Sequence, residues 1–376
     1  MMKPDPRPAA QISTDNIFLP WSEEKANAWY DRHGWVVGCN YIPSTAINQL
    51  EMWQAETYDP ATIETELAWA HEIGFNTIRV FLHHLLWEQD KAGFLGRLDD
   101  FLGIADANNI KTMFVLFDAV WDPYPKLGKQ PDPKRGVHNS GWVQSPGADI
   151  LKNENAYHQL QDYVEGVIGR FKDDDRVLIW DLFNEPDNMN QASYNDSNYG
   201  TDKAELSLQL LKKTIGWART IAPCQPLTAA PWQYDWSERD KLTPLDNYMF
   251  SQSDVITFHC YENSQKIENR IIGLQQFNRP ILCTEYMARH NGSTFEEVLP
   301  VLKKYNVGAY NWGFVAGKTQ THYPWDSWNQ DYLNEPEVWF HDIFRPSGEP
   351  YSEREVDVIK KLCKRPEPDI FYQEVA

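Results

Sequence analysis

The chain has 376 residues, a length within the usual range of a single (β/α)8 barrel. Its formal net charge of −19 and its pI near 4.9 give an acidic surface, which repels phosphate backbones and anionic lipids. We therefore expect no nucleic-acid partner and no membrane partner, and a neutral substrate is favoured. Nothing in the sequence indicates an oligomeric state.

The first 20 residues are polar and contain several prolines, so we interpret them as a loose leader. Residues 21–376 are predicted to form one catalytic domain. The chain does not begin with the apolar segment of a signal peptide, which favours a cytoplasmic location as written, or export if a signal was removed. The longest apolar runs are too short to span a bilayer.

Eight short apolar runs follow one another along the chain and are predicted to be strands. They are rich in β-branched and aromatic residues and are almost continuously apolar, which is typical of parallel strands buried on both faces. The eight predicted strands are 35–41, 76–82, 111–117, 177–184, 226–230, 255–261, 280–286 and 307–314.

Helical patterns separate these runs. The stretch 59–74 has Asp59 as a cap, Pro60 in the first turn and Gly74 at its end. Further helices are predicted over 97–109, 157–171, 203–222, 264–277, 294–305 and 353–364. Alternating strands and helices favour parallel βαβ units, and eight units favour a closed barrel. We therefore predict the α/β class, with a single TIM barrel. Its long polar loops, 118–153 and 186–202, follow strands at the C-terminal face, where such barrels keep their functional loops.

Aromatic residues make up 14% of the chain, including 16 tryptophans. Several tryptophans lie beside Gly, Pro, Asp and Asn in loop-like stretches, where flat apolar faces next to polar groups suit sugar rings. The five cysteines show no paired or metal-type spacing, so we predict no disulfide framework, no metal site and no cofactor. Cys39, Cys260 and Cys283 fall in strand-like runs and are interpreted as small buried hydrophobic residues.

Asn184 and Glu185 end the fourth predicted strand, and Glu285 ends the seventh. Because parallel barrel strands deliver their last residues to one face, both glutamates should point into one cup. Two facing carboxyl groups are the smallest set of catalytic groups that cleaves a glycosidic bond. Pro186, directly after Glu185, would stiffen the turn and hold Glu185 at the rim of the cup. The alternative is a simple strand-exit turn. A second Asn-Glu-Pro, at 334–336, is interpreted as a turn that starts a helix.

Four more strand residues support this cup. Arg79, in the second strand, would hold Glu285 ionised, or would form a structural ion pair. His259 and Tyr261 share one face of the sixth strand, where Tyr261 could donate to Glu285 and His259 could meet a sugar hydroxyl or be a core histidine. Trp312, at the end of the eighth strand, could stack on a sugar or pack in the core.

Loop residues supply further candidates for sugar binding. The candidate sugar platforms are Trp121, Trp142, Trp232 and Trp325, and the candidate hydroxyl ligands after the eighth strand are Lys318, Gln320 and Asp326.

The arrangement resembles the clan A retaining glycoside hydrolases, most closely glycoside hydrolase family 5, over roughly residues 33–345. This resemblance implies that Glu185 is the acid/base, that Glu285 is the nucleophile and that Asn184 binds the sugar 2-hydroxyl. It also implies a cis peptide after Trp312. Many members have a histidine at the end of the third strand, where this chain has Asp118 followed by Trp121, and His83 and His84 could fill part of that space.

The expected function is retaining hydrolysis of a β-linked glucan, mannan or xylan-type saccharide by double displacement. The carboxyl groups should then lie about 5–5.5 Å apart, with the pKa of Glu185 raised and that of Glu285 kept low. One alternative is a non-catalytic carbohydrate-binding barrel. Another is a metal-dependent hydrolase that uses His83, His84, Asp118 and His259.

Overall fold

The computed structural model describes residues 19–190, 193–194 and 202–364, so the predicted leader lies outside it except for residues 19 and 20. Eight parallel strands form one sheet in the order β5-β4-β3-β2-β1-β8-β7-β6. The two ends of the sheet meet, because the amide of Asp254 donates to the carbonyl of Leu227 at 2.8 Å and Thr228 Oγ1 donates to the carbonyl of Val255 at 2.9 Å. The predicted α/β barrel is confirmed.

All eight strands lie where the apolar runs predict them, and nearly all of their residues are buried. Their bounds are β1 Val37–Asn40, β2 Thr77–Phe81, β3 Lys111–Val115, β4 Val177–Asn184, β5 Leu227–Ala230, β6 Ile256–His259, β7 Ile281–Tyr286 and β8 Gly308–Asn311. Burial on both faces explains why the runs are continuously apolar instead of alternating.

Helices surround the strands and bury their apolar faces against them. Their bounds are α1 Glu23–His33, α2 Gln49–Trp53, α3 Pro60–Glu72, α4 His84–Ala107, α5 Ala148–Leu151, α6 Tyr157–Phe171, α7 Lys203–Ile221, α8 Pro244–Gln252, α9 Ser264–Leu274, α10 Phe295–Lys304 and α11 Glu353–Cys363. Helix α4 is kinked at Asp90, and its second half is the helix predicted over 97–109.

Four helices and the first half of α4 were not predicted. Two of them carry ordinary start signals. Thr243 caps α8, with Pro244 in the first turn, and Ser22 caps α1 by accepting from the amide of Lys25. Helices α2 and α5 have only five and four residues, too few for a helical period to be visible.

Two further expectations can be compared with the structure. Cys39, Cys260 and Cys283 are buried, as predicted, and all five cysteines are free thiols. The second Asn-Glu-Pro does not start a helix, so that interpretation is wrong. Residues 334–336 lie in a loop, where Glu335 forms an ion pair with Arg345 at 2.9 Å. None of the described helices is both long and apolar enough to cross a membrane.

Candidate active site

A cavity of about 440 Å³ opens at the carboxyl ends of the strands. Strand ends and the loops after β3, β4, β5 and β8 supply its walls, which combine indole rings with carboxylates and amides. Ten of the predicted site residues line it: Asp118, Trp121, Trp142, Asn184, Glu185, Trp232, Tyr261, Glu285, Trp312 and Trp325. Such a cup of aromatic and polar groups at this face is where barrel enzymes bind their substrates.

Glu185 follows the last residue of β4 and is held in a strained backbone conformation. Its φ is 43°, and its amide donates to the carbonyl of Ala230 on β5 at 2.9 Å. One side-chain oxygen, Oε1, lies 2.6 Å from His259 Nδ1, and the other, Oε2, accepts from Asn188 Nδ2 at 2.7 Å. Burial raises the pKa of Glu185 to about 7, as predicted, although the Asn188 donor opposes this shift.

Glu285, near the end of β7, has a different set of partners. Oε1 accepts from Arg79 Nη1 at 2.9 Å, and Oε2 accepts from the Tyr261 hydroxyl at 2.6 Å. The expectation of a low pKa is wrong, because the pKa of Glu285 is raised. Burial is the main cause and the charge of Glu185 adds to it, while His259, Arg79 and Tyr261 act in the opposite direction.

The two glutamates lie close together. One carboxylate oxygen of Glu185, one of Glu285 and a ring nitrogen of His259 all lie within 4.8 Å of one another. An oxygen-to-oxygen separation of at most 4.8 Å fits the closely spaced carboxyl groups of retaining enzymes and is below the roughly 6.5–9.5 Å that inversion requires. His259 Nδ1 is also 3.5 Å from Glu285 Oε2, so the imidazole lies between the two carboxylates.

Arg79 uses all five of its N–H donors below the cavity floor. Nε and Nη2 donate to Asp181 Oδ2, Nη1 donates to Asn40 Oδ1 and Glu285 Oε1, and Nη2 also donates to Asn184 Oδ1. The predicted contact with Glu285 is therefore present. The cation is shared with Asp181 at 2.7 Å, which limits how far Arg79 can lower the pKa of Glu285.

The comparisons with known proteins identify the family. The model of the cellulase family, glycosyl hydrolase family 5, matches residues 39–330. The chain belongs to glycosyl hydrolase family 5. It is therefore a retaining clan A glycoside hydrolase that acts on β-glycans, as the resemblance implied. No curated protein sequence matches the chain.

The fold of this chain is similar to the folds of several solved structures. A GH5_18 protein from Streptomyces cattleya, in complex with Manβ1-4GlcNAc, has a TM-score of 0.58 and 11% identity, with 89% of this chain and 82% of that chain covered. The exo-β-1,4-mannosidase of an Opitutaceae bacterium has a TM-score of 0.58 and 18% identity, with coverage of 87% and 59%. The endo-1,4-β-mannanase of Thermotoga petrophila has a TM-score of 0.53 and 13% identity, with coverage of 87% and 99%.

In this family 5 enzyme, Asp118 lies three residues after the end of β3. Asp118 Oδ1 accepts from Asn184 Nδ2 at 2.9 Å, and Oδ2 accepts from Trp142 Nε1 at 2.7 Å. Burial raises the pKa of Asp118 to about 7, against these two donors. Asp118 therefore fixes the orientation of the Asn184 amide.

All four tryptophans predicted as sugar platforms line the cavity: Trp121, Trp142, Trp232 and Trp325. Trp142 packs edge-on against Trp312, with ring centroids 5.7 Å apart. The backbone of Trp121 has a φ of 75°, and its amide donates to Asn190 Oδ1 at 2.7 Å. These rings are held by neighbours and are not loosely exposed.

Two predicted contact residues lie just behind the cavity. Arg79 and His259 are buried and do not line it. The structure gives His259 a carboxylate partner, Glu185, in the place of the sugar hydroxyl that was expected. Burial lowers the pKa of His259 to about 4, so the imidazole is neutral near pH 7.

Other candidates lie away from the cavity. His84 begins α4, and its Nδ1 lies 3.0 Å from Ser145 Oγ. Lys318 forms an ion pair with Glu51 at 2.6 Å, so its charge is directed toward α2. Gln320 and Asp326 also lie outside the lining. The side chain of Gln320 accepts from the amide of Gly136, and that of Asp326 accepts from the hydroxyl of Tyr332.

The structure does not support the metal-dependent alternative. His83 Nε2 contacts the carbonyl of Gln144 at 2.8 Å, and His84 contacts Ser145, so these rings do not converge with Asp118. In the described part of the chain, the side chains close enough to share an ion are Glu185, His259 and Glu285. Of these three, only His259 belongs to the metal-dependent alternative.

The cis peptide that the resemblance implied after Trp312 is absent. In residues 19–190, 193–194 and 202–364, the only cis peptide bond joins Ser145 and Pro146. The backbone instead turns at Gly313, whose φ is 78°, and the Gly313 carbonyl accepts from Asn311 Nδ2.

Sequence reasoning missed several residues of the site. Asp181 is the main anion beside Arg79, and Asn188 donates to Glu185. Further unpredicted residues that line the cavity include His138, Asp187, Asn190, Gln233, Tyr234 and Trp328. The strand pattern could have revealed Asp181, because a carboxylate inside the apolar run 177–184 needs a buried cation.

Proposed function

We propose that Glu185 is the general acid/base and Glu285 the nucleophile of a double displacement on a neutral β-linked glucan, mannan or xylan-type saccharide. The observation that carries this proposal is the convergence of both carboxylates, through His259, within 4.8 Å. A single anomeric carbon can then be reached by one carboxylate while its glycosidic oxygen is reached by the other.

In the first step, a Glu285 oxygen bonds to the anomeric carbon while the glycosidic carbon–oxygen bond breaks. The proton of Glu185 moves to the departing oxygen, so the leaving group departs as a neutral alcohol. In the second step, Glu185 takes a proton from water, the water oxygen bonds to the anomeric carbon and the Glu285 ester bond breaks. The configuration is inverted twice and thus retained.

The donors around each carboxylate decide where the proton lies. Glu285 contacts the Arg79 cation and the Tyr261 hydroxyl, both of which stabilise its ionised form. We therefore assign the negative charge to Glu285 and the proton to Glu185, whose pKa is raised to about 7. Once Glu285 forms the glycosyl ester its charge disappears, the pKa of Glu185 falls and Glu185 becomes the base.

Three further residues have positioning roles in this proposal. Asn184 uses one amide hydrogen for Asp118, which leaves the other for the sugar 2-hydroxyl. Trp312 provides the face on which the reacting sugar stacks. His259 holds Glu185 at 2.6 Å and stays neutral, so it orients this residue without competing for its proton.

The charge of the cavity supports a neutral sugar. Among the described residues that line it, none is Lys or Arg, whereas four are Asp or Glu: Asp118, Glu185, Asp187 and Glu285. A uronic acid or a phosphorylated sugar would meet repulsion there. Because similar folds include an exo-β-1,4-mannosidase and an endo-1,4-β-mannanase, β-mannosides are the first substrates to test.

The test is hydrolysis of aryl β-mannosides, β-glucosides and β-xylosides by the intact chain and by single variants. Glu285→Gln is expected to lose turnover by orders of magnitude, because no other group forms the covalent bond. Glu185→Gln should be most impaired on leaving groups that need a proton and least impaired on activated phenols.

Glu335→Gln is the matched control, because it changes the glutamate of the second Asn-Glu-Pro, which lies outside the cavity. We expect it to retain full activity. Absence of hydrolysis of every aryl β-glycoside would favour the non-catalytic carbohydrate-binding alternative. Near-normal turnover in Glu285→Gln would reject the assignment of the nucleophile.

A further inference from the structure

The cavity is closed on the side of β1 and β2. Among the described residues that line it, none follows either of these strands. The rings of Phe81, Trp142 and Trp312 fill that space edge-on, with centroids 5.2, 5.8 and 5.7 Å apart. The gap beneath them holds about 20 Å³, which is the scale of one water molecule, so no sugar unit fits there.

Above this cluster, the loops after β3 and β8 are joined directly. The Asn139 amide donates to the carbonyl of Thr319 at 2.7 Å, and the His138 amide donates to Ser327 Oγ at 2.9 Å. Trp328 Nε1 donates back to the carbonyl of His138 at 2.8 Å. Trp121, His138 and Trp328, which we call the end wall, all line the cavity.

The loop after β4 reaches the same point. The ring of Trp328 stacks on Trp121, at 5.8 Å and 17°, and also contacts Tyr194 at 5.1 Å. The Tyr194 hydroxyl in turn donates to the carbonyl of Ser140 at 3.1 Å. Because three loops are fixed to one another through Trp328, the end wall is a packed structure on this side of the cavity.

The opposite rim is formed by the start of the loop after β4 and by the loop after β5, because these two strands lie across the ring from β8 and β1. Trp232 and Tyr234 line the cavity there, and Tyr234 is 45% exposed. Trp232 Nε1 donates to Asp187 Oδ1 at 2.9 Å. Asp187 follows Glu185 by two residues, so this bond ties the Trp232 indole to the segment that carries the proposed acid. Since Glu185 is the proposed acid, it must face the leaving group, so the leaving group lies on this rim side.

We propose that the enzyme acts from the non-reducing end of its substrate and releases one sugar at a time. The end wall stops the saccharide beyond the reacting sugar, while the rim at Trp232 and Tyr234 accepts the rest of the chain as leaving group. Each turnover breaks one glycosidic bond and consumes one water, which gives its hydroxyl to the released sugar and a hydrogen to the shortened chain. This inference rests on the proposed function, because it uses the orientation set by Glu185.

The experiment follows the cleavage of β-1,4-linked oligosaccharides of three to six sugars, labelled at the reducing end. The oligosaccharides are built from the sugar whose aryl glycoside the enzyme hydrolyses fastest. Early time points should show the labelled chain shortened by one unit and a monosaccharide as the unlabelled product. Oligosaccharides blocked at the non-reducing end by a cyclic acetal should not be cleaved.

Unlabelled disaccharides or longer fragments at early times, or cleavage of the blocked chain, would overturn this inference and leave the proposed function intact. A complete lack of hydrolysis of aryl glycosides would instead overturn the proposed function, and this inference with it.

A variant tests the end wall itself. Trp328→Ala should add disaccharide release to the product pattern and allow cleavage of the blocked chain. Trp217→Ala removes an indole from α7, away from the cavity, and should leave the product pattern unchanged. Trp328→Ala protein that melts like the wild type and still releases only monosaccharide would overturn the role of the end wall.

Discussion

The hydrogen bond from Asn188 to Glu185 should set the alkaline limit of activity. Asn188 Nδ2 lies 2.7 Å from Glu185 Oε2, and this donor lowers a pKa that burial raises to about 7. A donor stabilises the ionised carboxylate, so its removal in Asn188→Ala must raise the pKa of Glu185. The acid form required for the first step then persists to higher pH.

The size of the change follows from the strength of the lost bond. A hydrogen bond to a charged group contributes about 1.5–3 kcal/mol, and one pKa unit corresponds to about 1.36 kcal/mol. Asn188 is half-buried, so water can replace part of the lost interaction and the lower end applies. We expect the alkaline limb to move up by about one pH unit, to near pH 8.

The assay is the pH dependence of kcat/KM on an aryl β-glycoside, because this ratio reports the groups of the free enzyme. Asn269→Ala, on the exposed face of α9, is the matched control and should show the wild-type profile. An alkaline limb that stays in place or moves to lower pH in Asn188→Ala would refute the reasoning.

Three further predictions concern the surroundings of the site. Tyr261→Phe removes the 2.6 Å donor to Glu285, so kcat/KM should fall by about 10- to 100-fold. The pKa of Glu285 should also rise, which moves the acid limb of the pH profile of kcat/KM to higher pH. An unchanged acid limb would argue against this contact. Asp181→Ala leaves Arg79 without its main anion and should lower the free energy of unfolding by about 3–5 kcal/mol, as measured by urea unfolding; a loss below 1 kcal/mol would contradict it. Glu66 is buried with a pKa raised to about 7, so its contribution to stability is present below about pH 4.5 and is lost as the pH rises through 7. The free energy of unfolding of Glu66→Gln, relative to that of the wild type, should therefore increase by up to about 3 kcal/mol between pH 4.5 and pH 8. The same difference in unfolding free energy at both pH values would contradict this.

The barrel could be predicted because its strands are buried on both faces. Their apolar runs are continuous, and a polar residue inside a run or directly after it therefore stands out. Arg79, Glu185 and Glu285 were found in this way, and the structure brings all three together. Because parallel strands deliver their carboxyl ends to one face of the barrel, polar residues near these ends meet there.

Loop residues were harder to predict, because nearness to a strand end does not decide the direction of a side chain. Lys318 pairs with Glu51, which is 267 positions away, and His84 turns toward Ser145 as α4 begins. The contacts of Trp328 with Trp121 and Tyr194 join three separate loops, and no local pattern carries that information.

The pKa of Glu285 shows a second limit of sequence reasoning. An arginine in a neighbouring strand predicts an ionised partner, but the outcome depends on how many anions share the cation. Asp181 takes two of the five Arg79 donors, and burial of Glu285 then outweighs the remaining attraction. Such a balance is visible only when the distances are known.

The central claim, that Glu285 forms a covalent bond to the sugar, is tested most directly by trapping the intermediate. A 2-deoxy-2-fluoro aryl β-glycoside of the preferred sugar slows the breakdown of the ester, and mass spectrometry of the digested protein then locates the sugar. We predict one added fluorosugar on the peptide that contains Glu285, and none on the Glu285→Gln protein. A fluorosugar attached to any other residue, or rapid turnover with an inverted product, would contradict the account.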